Sequence, residues 1–88
     1  MNAFELYEAV FDPARDECLP EEKTVDKLTQ EVSEYASGAF EISVDDGTCQ
    51  RIAEAYIAFQ NRENQVEGSN EYFHLVEKPL REIDTITL

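Results

Sequence analysis

Val25, Leu28, Val32 and Tyr35 recur at 3-4-3 spacing, which brings all four side chains onto one face of an α-helix and of no other regular structure. Pro20 followed by Glu21 and Glu22 fits the start of this helix. A missing N–H is harmless in a first turn, and acids meet the positive end of the peptide dipole there. Ser37-Gly38 supplies the stop. The stripe is too short for a coiled-coil seam, so it predicts packing within the chain's own domain. With 88 residues the chain makes one domain. A domain of this size hides only about 60–65% of its unfolded surface, and its core is modest.

The rest of the chain reads around that helix. Asn2 can cap a first helix, with Glu5 completing a capping-box pair and Phe4, Leu6, Tyr7, Val10 and Phe11 on its apolar face. Asp12-Pro13 stops it, and residues 12–20 read as a loop. In residues 39–44 the period changes: Phe40, Ile42 and Val44 alternate with Glu41 and Ser43, as in a half-buried strand. Asp45-Asp46-Gly47 is a turn signal. Thr48 can cap a third helix carrying Cys49, Ile52, Ala53, Tyr56, Ile57 and Phe59. Residues 61–69 are polar and read as a loop. Ser69 or Asn70 can then cap a fourth helix bearing Tyr72, Phe73, Leu75 and Val76, which Pro79 ends or kinks. Residues 83–88 alternate weakly, as a last strand pairing with 39–44 or with a second chain would. The expected fold class is α+β and mostly helical, with about four helices and one or two short strands in a single domain.

Twenty acidic residues against seven basic ones leave a net charge of −13. Repulsion at this density opposes compaction. Direct binding of nucleic acid is disfavoured, because that interaction is built from Lys and Arg neutralising phosphates. A basic protein partner suits the surface instead; solubility or a halophilic host gives the same balance. No apolar run reaches the roughly 18 residues of a membrane span. The first residues lack a basic start and an apolar block, so the expected address is the cytoplasm. Cys18 and Cys49 have no CxxC spacing and are expected reduced and half-buried, a bridge between them being a matter of geometry. His74, alone in an apolar stretch, reads as a partly buried structural residue. Phosphate loops, nucleophile elbows, zinc motifs and calcium loops are absent from the sequence. The expectation is therefore a non-enzyme without cofactor or metal.

The acids are arranged in rows. Glu5, Glu8 and Asp12 form one edge of the first helix, and Glu31 and Glu34 continue a stripe begun by Glu21 and Glu22. Carboxylates on successive helical turns lie about 5–6 Å apart, in the range of neighbouring phosphates on a nucleic-acid strand. Such rows can occupy a groove built for DNA. Tyr56 and Tyr72 are candidate aromatic anchors, since buried aromatic groups dominate interface affinity.

The run Ile52-Ala53-Glu54-Ala55-Tyr56-Ile57-Ala58-Phe59-Gln60-Asn61 resembles a helix in small phage-encoded anti-CRISPR proteins. Asn64-Gln65, Glu71-Tyr72-Phe73 and Thr85-Ile86-Thr87-Leu88 are similar to segments of that group in the same order. The resemblance spans residues 52–88 with gaps. It implies an inhibitor whose acids imitate the DNA that an RNA-guided nuclease reads first, with Glu67 and Glu71, then Asp45 and Asp46, in that role. The chain departs from the family where a long helix and one strand replace its three-stranded meander, and where Gly68-Ser69-Asn70 thins its acidic run. The leading expectation is an acidic anti-defence inhibitor, a DNA mimic bound to a CRISPR effector or restriction enzyme in the cytoplasm of a host cell. The second is a small adaptor, as a homodimer or through another protein interface, with residues 25–35 or the unpaired strand as the contact.

Overall fold

Asn2 starts the first helix by a reciprocal exchange: its Oδ1 accepts the Glu5 N–H at 2.9 Å, and Glu5 Oε1 accepts the Asn2 N–H at 2.9 Å. The resulting helix, α1, covers Ala3–Val10 in a computed structural model that describes residues 2–60 and 72–83. Phe11 closes it by donating its N–H to the Tyr7 carbonyl. Residues 12–20 are more ordered than a plain loop. Asp12 Oδ1 accepts the Ala14 N–H at 2.8 Å and the Asp12 carbonyl accepts that of Arg15, which starts a 3-10 helix over Pro13–Cys18.

The second helix, α2, covers Val25–Ala39 and begins later than the Pro20 reading places it. Thr24 is its N-cap, accepting the Lys27 N–H at 3.3 Å. A hydroxyl that satisfies an orphan donor outcompetes a proline with two acids, which satisfies none. Leu28, Val32 and Ala36 are fully buried along its inner face. Cutting Leu28 to Ala there costs about 2–5 kcal/mol.

The helix also passes through Ser37-Gly38, where a stop was expected. The stop is Glu41, whose φ of 56° is the left-handed conformation usually left to glycine. Just before it, the Ala36 carbonyl receives both the Phe40 and the Ile42 N–H. These bonds remove the expected strand over 39–44. Ala39 belongs to the helix, Phe40 caps it, and 41–45 is an irregular connector. The alternation survives as burial only in part: Val44 is buried and Ile42 packs against the core, with Glu41 and Ser43 exposed, but Phe40, expected inward, is exposed as well. An inward-outward pattern marks which side chains the core takes and does not by itself make a ladder. No strand is present among the described residues, and the other expected strand lies outside them except for Ile83.

The third helix, α3, covers Asp46–Gln60. Asp45, and not Thr48, caps it: Oδ2 accepts the Thr48 N–H at 3.0 Å and Oδ1 the Thr48 hydroxyl at 2.8 Å. Gly47 keeps this cap open, since a Cβ there would lie 3.2 Å from the Asp45 carboxylate. The last helix, α4, is π-helical over Phe73–Glu77 and α-helical over Lys78–Arg81. Pro79 kinks rather than ends it. Proline has no N–H and its ring crowds the carbonyl one turn back, and the widened turn, in which the Lys78 N–H reaches the Phe73 carbonyl, absorbs both defects.

Among the described residues α1, α3 and α4 close around aromatic rings. Tyr7 is central, with ring centroids of Phe4, Phe11, Tyr56 and Tyr72 within 5.0–6.5 Å, and Phe11 stacks on Tyr56 at 4.0 Å. Tyr72 also meets Phe59 edge-on at 5.1 Å. Ile83, just past α4, accepts the Ala3 N–H at 2.8 Å and ties that end of the bundle to α1. The architecture is mostly helical. No helix among the described residues is long and apolar enough to cross a membrane.

Candidate interaction surface

The fold sorts the acids that the sequence marks into those used internally and those turned outward. Glu5 is spent on the α1 capping box and Asp12 on starting the 3-10 helix. Glu31 pairs with Arg15 at 3.2 Å, both side chains only about a fifth exposed. The same guanidinium lies 3.9 Å from the Tyr35 ring centroid and donates to the Val10 carbonyl at 2.6 Å. Asp45 caps α3, and the Thr48 hydroxyl, followed by the Thr48 backbone N–H, holds its carboxyl below the usual carboxylate range. Bonds within the fold, three of them local and one tertiary, account for these four residues.

Glu8, Glu34 and Asp46 are exposed. Glu34 and Asp46 come together across the α2–α3 seam, where Asp26, Thr29, Gln30, Ser33 and Gln50 complete an open groove of about 430 Å³. A size within the roughly 300–1,000 Å³ of ligand pockets would admit a small molecule, but those are mostly apolar. Three carboxylates with hydroxyls and amides between them suit the cationic side chains of a partner better. Gln30 donates to Glu34 at 3.0 Å, fixing that carboxylate from the same helix. Asp26, Gln30 and Glu34 follow one another at i, i+4 and i+8, a row the charge stripe through Glu31 overlooks. Glu31 and Glu34 lie on one helix, yet the first faces Arg15 and the second the groove.

Tyr72 is buried among Phe4, Tyr7 and Phe59, so it serves the core and presents little ring to a partner. Tyr56 is partly buried against Phe11. Among the described residues the exposed large apolar side chains are Phe40 and Phe73, at 38% and 42%. His74 is exposed, contrary to the buried role expected from its apolar neighbours, because it takes the outer side of α4 while Val76 and Leu80 turn inward. Glu67 and Glu71 lie outside the described residues.

The cysteines are free, Cys18 exposed and Cys49 buried, so neither is half-buried as expected. Burial, reinforced by the charges of Asp46 and Asp45, pushes the Cys49 thiol up to about 11, which keeps it protonated and unreactive near neutrality. Among the described residues no group of three His, Cys, Asp or Glu is placed to hold a metal ion.

No family model, no curated protein and no solved structure matches the chain. Its residues define a small, mostly helical, strongly acidic domain with a carboxylate-lined groove between α2 and α3.

Proposed function

We propose that this chain is an anti-defence inhibitor that occupies a basic nucleic-acid-binding surface on a target protein, presenting carboxylates where DNA presents phosphates. The observation that carries this reading is the α2–α3 groove. Asp26, Glu34 and Asp46 stand together on two packed helices, in a chain whose net charge is −13. Holding like charges together opposes folding, and a basic partner offsets that cost when it binds. The similarity of residues 52–88 to phage-encoded anti-CRISPR proteins supports the same class and nominates Glu67 and Glu71 alongside the groove. Binding alone suffices for inhibition; no turnover or cofactor is required.

Competition tests the proposal. The purified protein is added to a guide-loaded CRISPR nuclease, and separately to a restriction enzyme, each holding a fluorescent target duplex. Displacement of the duplex from one of them is expected, weakening as salt is raised. Reversing Asp26, Glu34 and Asp46 together to lysine should raise the inhibitory concentration by roughly tenfold or more. Reversing Glu67 and Glu71 forms a separate arm that assigns or releases those two positions. A ternary complex with DNA still seated in its usual groove would sink the mimicry.

A further inference from the structure

The acids of the α2–α3 groove share one concavity without converging on a point. Asp26, Glu34 and Asp46 line it together, yet among the described residues no group of three His, Cys, Asp or Glu is placed to hold one metal ion. Asp26 and Glu34 stand eight residues apart on α2, about 12 Å along the helix axis. That spacing suits cations in a row and not a single one.

The groove also continues past Ser33. The same residue borders a second concavity, of about 470 Å³, which Ser37, Glu41 and residues 42–44 complete. The two adjoin along one side of α2, where Asp26, Gln30, Ser33 and Ser37 follow at intervals of four, three and four. From Asp26 to Ser37 the helix rises about 16 Å, the length of about five residues of extended chain. Carboxylates mark both ends, with hydroxyls between them. One hydroxyl lacks a partner. Thr29 lines the first concavity, but its Oγ1 is sealed from water and makes no hydrogen bond among the described residues. A helical threonine ordinarily bonds the carbonyl one turn back or faces water, and this one does neither. A buried orphan of this kind calls for an explanation, and a missing ligand supplies one.

We propose that this trough seats an extended cationic segment of the basic partner, its positive side chains on Asp26, Glu34 and Glu41 and a backbone amide on the Thr29 hydroxyl. Rotation about Cα–Cβ exchanges that hydroxyl with its methyl group, both rotamers being open to a helical threonine, and turns the oxygen toward the occupant. The proposal rests on the reading of the chain as a binder of basic surfaces and adds the form of what it binds. Alternate side chains of an extended segment share one side about every 6.6–6.8 Å, so cations four residues apart span about 13 Å and match Asp26 and Glu34. Adjacent cations point to opposite sides and match only one of them.

The test titrates the intact, isotope-labelled protein at low salt with two short peptides of lysine and serine, equal in length and composition. One carries its two lysines four residues apart and the other side by side. The spaced peptide should bind about 2- to 5-fold more tightly, with the largest amide shifts along residues 26–37 and 41–46. Asp26→Asn and Glu34→Gln should each remove that preference. Thr29→Val should weaken the spaced peptide by about 2- to 5-fold and leave Tm unchanged or higher, because an isosteric methyl replaces an orphaned hydroxyl. A residue with a purely structural role does not lose binding while its stability is kept. Equal affinity for the two peptides, or unchanged binding by Thr29→Val, overturns the seat. If the protein fails in this way yet still displaces the duplex from a nuclease, the seat falls and the inhibitor reading stands. If neither peptide binds and no duplex is displaced, both fall.

Discussion

Arg15 reaches Glu31 across the bundle, Nη2 to Oε2 at 3.2 Å, and in doing so fastens the 3-10 helix to α2. Both side chains are about four-fifths buried, so the pair is shielded from salt and its loss leaves an uncompensated charge.

Arg15→Ala should therefore lower stability by about 2–4 kcal/mol, combining a partly buried ion pair, a cation–π contact and the bond to the Val10 carbonyl. Glu31→Gln keeps an acceptor and should lose about half as much. Urea denaturation with a shared slope checks both values. Equal stability of Arg15→Ala and the parent chain would remove the clamp.

Asp45 gives a pH signature. Its carboxyl is held below the usual range by the Thr48 hydroxyl, so the folded state favours the ionised form. The stability this contributes is present above the unfolded value near 4 and is lost as pH falls through the lower folded value. Asp45→Asn retains a capping oxygen but no charge. The difference in Tm between the two proteins should shrink on acidification below about pH 4. A difference that is constant from pH 7 to about pH 2 would show that charge plays no part in the cap.

The two cysteines should label differently. Iodoacetamide at neutral pH should modify Cys18 in the native protein and reach Cys49 only on unfolding, as mass spectrometry would show. With its thiol pushed up to about 11, Cys49 also weakens the fold in alkali. The unfolded thiol ionises near its ordinary value, so stability is complete below that value and declines as pH rises toward 11. Cys49→Ala should remove this alkaline decline. Rapid native labelling of Cys49 would contradict its burial.

Salt should act in opposite directions on folding and on binding. At a net charge of −13, raising ionic strength from about 10 mM to about 1 M shortens the Debye length from roughly 30 to 3 Å and should raise Tm. The same change should release a basic partner. Thermal melts and binding titrations across one salt series measure both.

What the sequence reveals and what it hides divides by range. The Asn2–Glu5 box, the buried stripe of α2 and the inward turn of Ile42 and Val44 are relations within a few residues, and periodicity exposes them. Helix starts are harder when two signals compete: Pro20 loses to Thr24, and Thr48 to Asp45 three residues earlier. The acids divide in the same way. Glu31 and Glu34 look equivalent along a helix, and only the tertiary approach of Arg15, sixteen residues upstream of Glu31, makes one a fastening and leaves the other in the groove. Glu41 was visible as an acid in an alternating run. Its left-handed backbone was hidden, because the sequence supplies a glycine at 38 that fits the stop better than the residue the fold uses.

The bond from the Ala3 N–H to the Ile83 carbonyl joins residues separated by 83 − 3 = 80 positions. Closing so long a loop is slow compared with forming a local turn. During synthesis, at about 5–20 residues per second, α1 waits for several seconds before α4 exists. Over that interval Phe4 and Tyr7 lack their cover from Tyr72, so the nascent chain carries a greasy patch. Its carboxylates then have a second use, keeping half-made copies apart until the last helix arrives.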